Sequence, residues 1–410
     1  MEAPVRYQLR TRSGERSRWR YASAAGALAA LLLVASCADG SGGAPAPEAS
    51  GAGAAGPHTG HGKFEPPPAA PLRAGERFVN ITMPQPYTPS APQGGTDEYR
   101  CFLVDPKLTE RSFLTGSQFL PQNVDIVHHA IFFRIAPGDA EAARQADART
   151  PGEGWTCFGD AGIGDDAAWV ASWAPGANEQ LLAPNLGYEL PAGSQLVMQV
   201  HYNLLAAAEA ASPADQSGIR LRLTDGRTEL DKLETTLLPA PVELPCAAGE
   251  SGPLCDRQAA VADVTKRFGE QAGETVAGLN QFCNAGRAPT GGVEQHCDHP
   301  VRQAGTLHAL GGHMHLLGRT IKVELNPGTP RAQTLLDVPA YNFDDQSLRP
   351  LAKPVEVRPG DTYRVTCTHD ASLRQRLPQL KTLPARYVVW GEGTSDEMCL
   401  GLVVWSRPRG

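Results

Sequence analysis

The chain has 410 residues, of which 41% are hydrophobic and 20% charged, and it contains 43 glycines and 35 prolines. This length accommodates two compact domains with additional tails. The formal net charge is −7, and no cluster of lysine or arginine occurs beyond the first twenty residues, so the composition argues against nucleic acid as a partner.

The N-terminus has the pattern of an export signal. A small apolar run from Ala22 to Ala35 follows six arginines and is short for a membrane-spanning helix. The run ends in Val34-Ala35-Ser36-Cys37, which resembles a bacterial lipobox. This resemblance implies a lipoprotein signal peptide over residues 1–37 and a lipid on Cys37. The exported protein would then be tethered to a membrane on the periplasmic or cell-surface side of a bacterium. An unrelated cysteine after an apolar run is the alternative.

Residues 38–72 consist mostly of Gly, Ala, Pro and Ser, with almost no large apolar side chains. Such a segment cannot bury enough surface to fold, so we expect a disordered linker. His58 and His61 lie within it and are interpreted as incidental.

Eight cysteines follow Cys37 in the chain. An even number in an exported protein predicts up to four disulfides in an oxidising compartment, while the sequence leaves their pairing open. They are Cys101, Cys157, Cys246, Cys255, Cys283, Cys297, Cys367 and Cys399.

Short apolar runs, separated by Pro, Gly, Asn and Asp, fill the rest of the chain. They predict an all-β fold of two tandem antiparallel β-sandwich domains of jelly-roll type. A break near Asp225-Gly226 divides an N-terminal domain, residues 73–226, from a C-terminal domain, residues 227–408. The clearest predicted strands are Val124 to Ile135, Gln195 to Asn203, Gly218 to Thr224, Thr320 to Leu325 and Ala385 to Gly391.

One segment, about residues 245–300, has a helical period instead. Val264, Phe268, Ala272 and Val276 are spaced four apart, which predicts a helix weakened by glycines such as Gly269. Because four cysteines bracket this pattern, we expect a disulfide-stapled, partly helical insertion in the second domain.

Two histidines flank Met314 in the segment GGHMHLLGR. On a strand, His313 and His315 would point to one face with Met314 opposite, which suits two imidazoles on one metal ion. The pattern alone is weak, since surface strands also carry His-x-His by accident.

Further histidines lie inside apolar strands. His128 and His129 are adjacent, so alternation sends their rings to opposite faces unless the chain bulges or the rings reach round through Nδ1. His201 alone is more simply a core histidine whose ring nitrogens both have partners. Met398 is one of five methionines, and its thioether is a soft ligand that suits Cu(I).

The order of these motifs is specific. His-His, then QVHY, then GHMHLLGR, then SDEMC resembles the copper type II, ascorbate-dependent monooxygenase family, over about Phe78 to Trp405 without the insertion. The resemblance implies two sandwich domains that each hold one copper ion and face each other across an open, wet cleft. It also implies hydroxylation of a C–H bond with dioxygen and with ascorbate or another one-electron reductant.

The resemblance further implies two ligand sets and two disulfides. The first set supplies electrons and consists of His128, His129 and His201. The second set, where dioxygen binds and where the catalytic residues are expected, consists of His313, His315 and Met398. The implied disulfides are Cys367–Cys399 and, less directly, Cys101–Cys157.

Substrate recognition does not carry over from the family. Its peptide-hydroxylating members hold a substrate carboxylate with arginine, asparagine and tyrosine where this chain has Gly311, Leu400 and Leu402. The leucines indicate a more apolar pocket and a small organic substrate, although Arg319 or the insertion could supply an anchor. His308 is a candidate for a supporting role, whereas His369, like the histidines of the insertion, is interpreted as a surface residue.

Two other hypotheses stay open at this point. One is an extracytoplasmic copper-binding or electron-transfer lipoprotein without hydroxylase activity. The other is a structural sandwich whose histidines are relics. We expect a monomer.

Overall fold

The computed structural model describes residues 66–92, 95–164, 167–205, 213–227 and 229–408. The predicted signal peptide with Cys37, and most of the predicted linker with His58 and His61, lie outside these ranges. Among the helices of the described ranges, none has the length and apolar character needed to cross a membrane.

The described chain is built mainly of strands, which confirms the predicted all-β class. The strands are β1 Glu76–Thr82, β2 Asp97–Val104, β3 Ser112–Leu120, β4 Val127–Ile135, β5 Trp155–Thr156, β6 Ala168–Trp173, β7 Gln180–Leu181, β8 Leu186–Leu190, β9 Gln195–Asn203, β10 Gly218–Asp225, β11 Asp231–Pro239, β12 Glu243–Leu244, β13 Glu294–Pro300, β14 Gly305–His313, β15 Gly318–Leu325, β16 Gln333–Val338, β17 Arg349–Val357, β18 Thr362–His369, β19 Val388–Val389 and β20 Leu400–Ser406. The helices are α1 Ala140–Asp147, α2 Arg257–Phe268, α3 Glu270–Cys283 and α4 Leu373–Arg376.

A nine-stranded sheet runs through both halves of the chain. Its order is β1-β10-β3-β8-β11-β20-β14-β17, with β7 added on β3. The halves join where β8 and β11 pair in parallel, through Leu186 with Asp231 and Gly187 with Lys232. The predicted domain boundary at residues 226 and 227 falls between β10 and β11 and stays a prediction.

Two smaller sheets complete two sandwiches against this large sheet. In the first half, the sheet β5-β2-β9-β4-β6 shares a core with β3 and β10, to which Phe102, Met198, Leu114 and Leu221 contribute. In the second half, the sheet β13-β18-β15-β16 packs on β14 and β20 through residues such as Val323, Val365, Leu310 and Val403. The alternation of apolar residues along each strand supplies these inner faces.

The segment predicted as one weak helix forms two helices, α2 and α3. Gly269 lies between them with φ of +89°, a conformation that L side chains rarely adopt, so the helix breaks there. The four residues that defined the period, Val264, Phe268, Ala272 and Val276, are all buried.

The structure contains four disulfides among the described cysteines. Cys246–Cys255 and Cys283–Cys297 close the two ends of the helical insertion, a pairing that the sequence left open. Cys101–Cys157 and Cys367–Cys399 are the two pairs that the family resemblance implies.

The predicted strand Ala385 to Gly391 is largely wrong. Val388 and Val389 pair with β12, and Trp390 forms one isolated bridge with Glu397, while neighbouring backbone groups bond to loops. The amide of Tyr387 donates to the carbonyl of Leu254, and that of Gly391 donates to the carbonyl of Glu397.

Candidate metal centre

The three first-half histidines converge because β4 bulges. His129 lies opposite His201 of β9, but the register shifts between Val127 and His129, so His128 is an extra residue in the strand. The bulge removes the strict alternation that would send the rings of His128 and His129 to opposite faces. One ligand atom from each of the three side chains lies within 4.8 Å of the others.

The three rings are in mutual contact and have little hydrogen bonding. Their centroids are 5.3 Å apart for His128 and His129, 5.2 Å for His128 and His201, and 4.7 Å for His129 and His201. Within the described residues, the buried Nε2 atoms of His128 and His129 have no hydrogen-bond partner. Burial lowers the pKa of both imidazoles well below its usual value, and His201 lowers it further, so both rings are neutral.

Asp97 fixes the orientation of His201. The Nε2 of His201 bonds to a buried Asp97 carboxylate oxygen at 2.9 Å, which leaves its Nδ1 facing the Nδ1 of His128 at 3.4 Å. Tyr99 stacks on the His201 ring at 4.1 Å. Burial alone would raise the pKa of Asp97, but the bond from His201 and one from Thr394 lower it, so the carboxylate is ionised.

The second histidine pair lies at the end of β14. The strand ends at His313, which pairs with Leu400 of β20, and His315 follows in a turn. The expected continuous strand is therefore wrong at His315, yet the two rings still lie 5.1 Å apart. Met314 is fully buried in the core on the other side.

His313 and His315 differ in their bonding. His313 Nδ1 bonds to Gln346 Oε1 at 2.5 Å, and burial, with a smaller effect of His315, lowers its pKa to about 3. His315 is 1% exposed, and neither of its ring nitrogens has a partner among the described residues. A buried imidazole that makes no hydrogen bond is costly, which indicates a missing partner such as a metal ion.

Glu397 connects this turn to Met398. Its fully buried carboxylate accepts the backbone N–H groups of Leu317 at 2.6 Å, His315 at 2.9 Å and Met398 at 3.1 Å. Met398 and His313 line the same cavity. One carboxylate thus holds the backbone of two of the three second-half candidate ligands.

The two candidate clusters touch each other. The rings of His129 and His313 are 5.3 Å apart, so the open cleft that the resemblance implies is closed in this structure. The closure is held by bonds across the halves. Thr394 Oγ1 donates to Asp97 at 2.5 Å, and the Tyr99 hydroxyl donates to the Glu392 carbonyl at 2.9 Å.

A cavity of about 200 Å³ adjoins the clusters. Its wall is mostly apolar, as expected from Leu400 and Leu402, and it also includes Trp169 and Trp173. Among the described residues, Glu392 is the one carboxylic acid of this wall, and burial, with a smaller effect of Asp396, raises its pKa to about 7.

Sequence reasoning missed the acidic residues around the clusters. Glu392, Asp396 and Glu397 all stand within eight residues of Met398 in WGEGTSDEMC, and this density of acids in an apolar setting was a usable signal. Asp97 had no such signal, because only the fold brings it to His201.

Two further histidines, His308 and His369, differ in how they relate to the clusters. His308 bonds to Ser406 Oγ at 2.8 Å, and this bond does not connect it to the clusters. The surface interpretation of His369 is wrong: it is 3% exposed, and its Nε2 lies 3.5 Å from Glu397 and 3.4 Å from the Met398 carbonyl oxygen.

Buried, unpartnered histidines on an all-β frame define a candidate metal-binding protein. Residues 290–408, which include His313, His315 and Met398, match the family model described as copper type II ascorbate-dependent monooxygenase, C-terminal domain. This match confirms the resemblance to the family for the C-terminal part of the chain. The match does not extend to His128, His129 and His201.

Other comparisons add little. No curated protein matches the chain. Among solved structures, an allantoicase is 11% identical with a TM-score of 0.18, covering 78% of this chain and 90% of that chain. The allantoicase of Saccharomyces cerevisiae is 9% identical with a TM-score of 0.18, covering 76% and 84%. Likenesses this low carry no information on function.

Proposed function

We propose that the protein is a copper-dependent monooxygenase. It hydroxylates a C–H bond of a small organic substrate with dioxygen and an external one-electron reductant such as ascorbate. The observation that carries the proposal is the apolar cavity beside two histidine clusters in which buried ring nitrogens of His128, His129 and His315 have no partner among the described residues.

The donor atoms fit two copper ions. His128, His129 and His201 would hold one ion through imidazole nitrogens, a set that tolerates both Cu(I) and Cu(II). His313, His315 and Met398 would hold the other, and the soft thioether favours Cu(I). When bound, the ions would supply the electron transfer and oxygen chemistry that no side chain can.

The residues of the chain have three tasks in this reaction. Burial lowers the pKa of His128, His129 and His315 and so keeps these imidazoles neutral and able to bind metal without competition from protons. Asp97 and Glu397 hold candidate ligands in place. The apolar cavity wall excludes water and orients the substrate. Overall, the substrate C–H, one dioxygen, two electrons and two protons give the alcohol and one water.

We also propose that the protein is exported, tethered by a lipid on Cys37, and monomeric. The four disulfides support an oxidising compartment outside the cytoplasm. The physiological reductant would then meet the protein in that compartment.

A copper-binding or electron-transfer protein without hydroxylase activity is the second candidate. The 5.3 Å distance between the rings of His129 and His313 favours this candidate, because the contact provides a short path for electrons between two bound ions. The cavity beside the clusters favours the monooxygenase, since electron transfer alone needs no space for a substrate.

The test combines copper content with oxygen consumption. We expect two coppers per chain in the full-length protein, and about one in His313→Ala or Met398→Ile. His308→Ala is the matched control, because His308 lies outside the clusters. This variant should keep both copper ions. Ascorbate-dependent oxygen consumption should rise with a true substrate. Two bound coppers without oxygen consumption would favour the second candidate, and no stoichiometric copper would refute both.

A further inference from the structure

The helical insertion forms part of the cavity beside the histidine clusters. Thr275 and Leu279 of α3 line the cavity together with Leu400, Trp169 and Trp173. The two α3 residues are four apart and therefore share one helix face. Ala272 and Val276 of the same helix are buried in the second-half core and fix its position.

The insertion is also joined to the loop that carries Met398. Arg267 of α2 makes two bonds to the Asp396 carboxylate, at 2.7 and 2.6 Å. Phe268, the next residue, packs edge-on against Phe158 of the first half with ring centroids 5.6 Å apart. The helix pair is thus tied to both halves of the chain where they border the cavity.

The chemistry of the wall restricts the occupant. No lysine or arginine lines the cavity in the described chain, so a carboxylate or phosphate has no counterion there. Burial raises the pKa of Glu392 in the wall to about 7, so below that pH an ammonium group meets a mostly neutral carboxyl group. The three tryptophans Trp169, Trp173 and Trp390 offer flat apolar surface. A volume of about 200 Å³ suits one aromatic ring, since a buried apolar cavity of roughly 150 Å³ binds benzene.

We infer that the helical insertion is the substrate-selecting wall of this cavity. Thr275 and Leu279 set its size limit, and its substrate class is a neutral, mostly apolar molecule about as large as a single substituted aromatic ring. This inference rests on the proposed function where it calls the bound molecule a substrate. The binding site itself does not depend on copper.

Fluorine NMR titration of the full chain, with and without copper, tests the inference. The probes are fluorobenzene, 1-fluoronaphthalene, para-fluorobenzoate and para-fluorobenzylammonium. Fluorobenzene should bind in preference to the three others. Leu279→Ala should raise the ratio of the affinity for 1-fluoronaphthalene to that for fluorobenzene by about tenfold, because the smaller side chain enlarges the cavity. Thr275→Phe should weaken both neutral probes.

Phe282→Ala is the matched control, since Phe282 lies on the same helix, is 46% exposed and does not line the cavity. Its affinity ratio should equal that of the unaltered protein. An equal ratio in Leu279→Ala would overturn the role of α3. Tighter binding of either charged probe by the copper-free protein below pH 7 would overturn the substrate class.

The two proposals fail differently. If the probe selectivity follows Leu279 but the copper-loaded protein consumes no oxygen, the cavity inference stands and the monooxygenase proposal falls. If copper and oxygen behave as proposed while the probes ignore the α3 variants, only the cavity inference falls.

Discussion

At the scale of single residues, buried carboxylates decide how the histidines can act. Asp97 is 2% exposed and accepts bonds from His201, Thr394 and Thr96. Its negative charge favours the tautomer in which His201 carries its proton on Nε2 and offers Nδ1 to the cluster.

Asp97→Asn should weaken copper binding at the first cluster by roughly 10- to 100-fold, because the amide can donate to Nε2 and place the proton on the wrong nitrogen. Competition with a copper chelator measures the change. Asp298→Asn is the control, since Asp298 makes a comparable pair with Arg364 at the surface. Unaltered affinity in Asp97→Asn would contradict the assigned tautomer.

Glu392 predicts a pH dependence of stability. Its pKa rises from 4.5 to about 7 in the folded chain, mainly by burial. The folded state therefore binds the proton more tightly than the unfolded state. This contribution is fully present below pH 4.5 and is lost as the pH rises through about 7.

Glu392→Gln should remove this dependence, because glutamine mimics the protonated acid. The free energy of unfolding of the variant, relative to the unaltered protein, should increase between pH 4.5 and 7 by up to about 3 kcal/mol. Urea unfolding at a series of pH values measures it. Tyr99→Phe removes only the bond to the Glu392 carbonyl and should keep the dependence. If the difference in free energy of unfolding between Glu392→Gln and the unaltered protein did not change with pH, the assigned pKa of Glu392 would be refuted.

At the scale of elements, local irregularities place the candidate ligands. The bulge in β4 turns His128 toward His129, the end of β14 releases His315 into a turn, and the loop before β20 brings in Met398. Regular strands alone would not assemble either cluster.

Glu397→Gln should disturb the second cluster selectively. Its side-chain nitrogen cannot accept a backbone N–H, so at least one of the bonds from His315, Leu317 or Met398 is lost. We expect a loss of about 1 to 3 kcal/mol of stability. We also expect a weaker sulfur signal in the X-ray absorption spectrum of the reduced, copper-loaded protein.

Glu243→Gln is the matched control for this prediction. Glu243 is also fully buried and accepts bonds from Arg257, Asn280 and Tyr387, but it does not contact the clusters. The Glu243→Gln variant should be less stable than the unaltered protein and should keep the sulfur signal. An equal loss of signal in both variants would mean that Glu397 acts only through general stability.

At the scale of the whole molecule, the shared nine-stranded sheet couples the two halves. The β8–β11 pairing and the Thr394–Asp97 bond both cross the predicted domain boundary. Cooperative unfolding is expected where cores share a sheet.

Urea unfolding of the metal-free protein should therefore show one transition, with coincident curves from far-ultraviolet circular dichroism and tryptophan fluorescence. Thr394→Val should shift the midpoint of that transition without splitting it. Two separate transitions in the unaltered protein would show that residues 73–226 and 227–408 fold as independent domains.

The sequence by itself determined the all-β class, the helical character of the insertion and the family motifs, because these depend on periodicity and spacing along the chain. Through the family resemblance, it also predicted His128, His129, His201, His313, His315 and Met398 as a set. Only the tertiary structure decided the disulfide pairing of the insertion, the closed contact between His129 and His313, and the roles of Asp97 and Glu397. These depend on contacts between residues up to about three hundred positions apart, and such contacts arise from packing in three dimensions rather than from any local pattern.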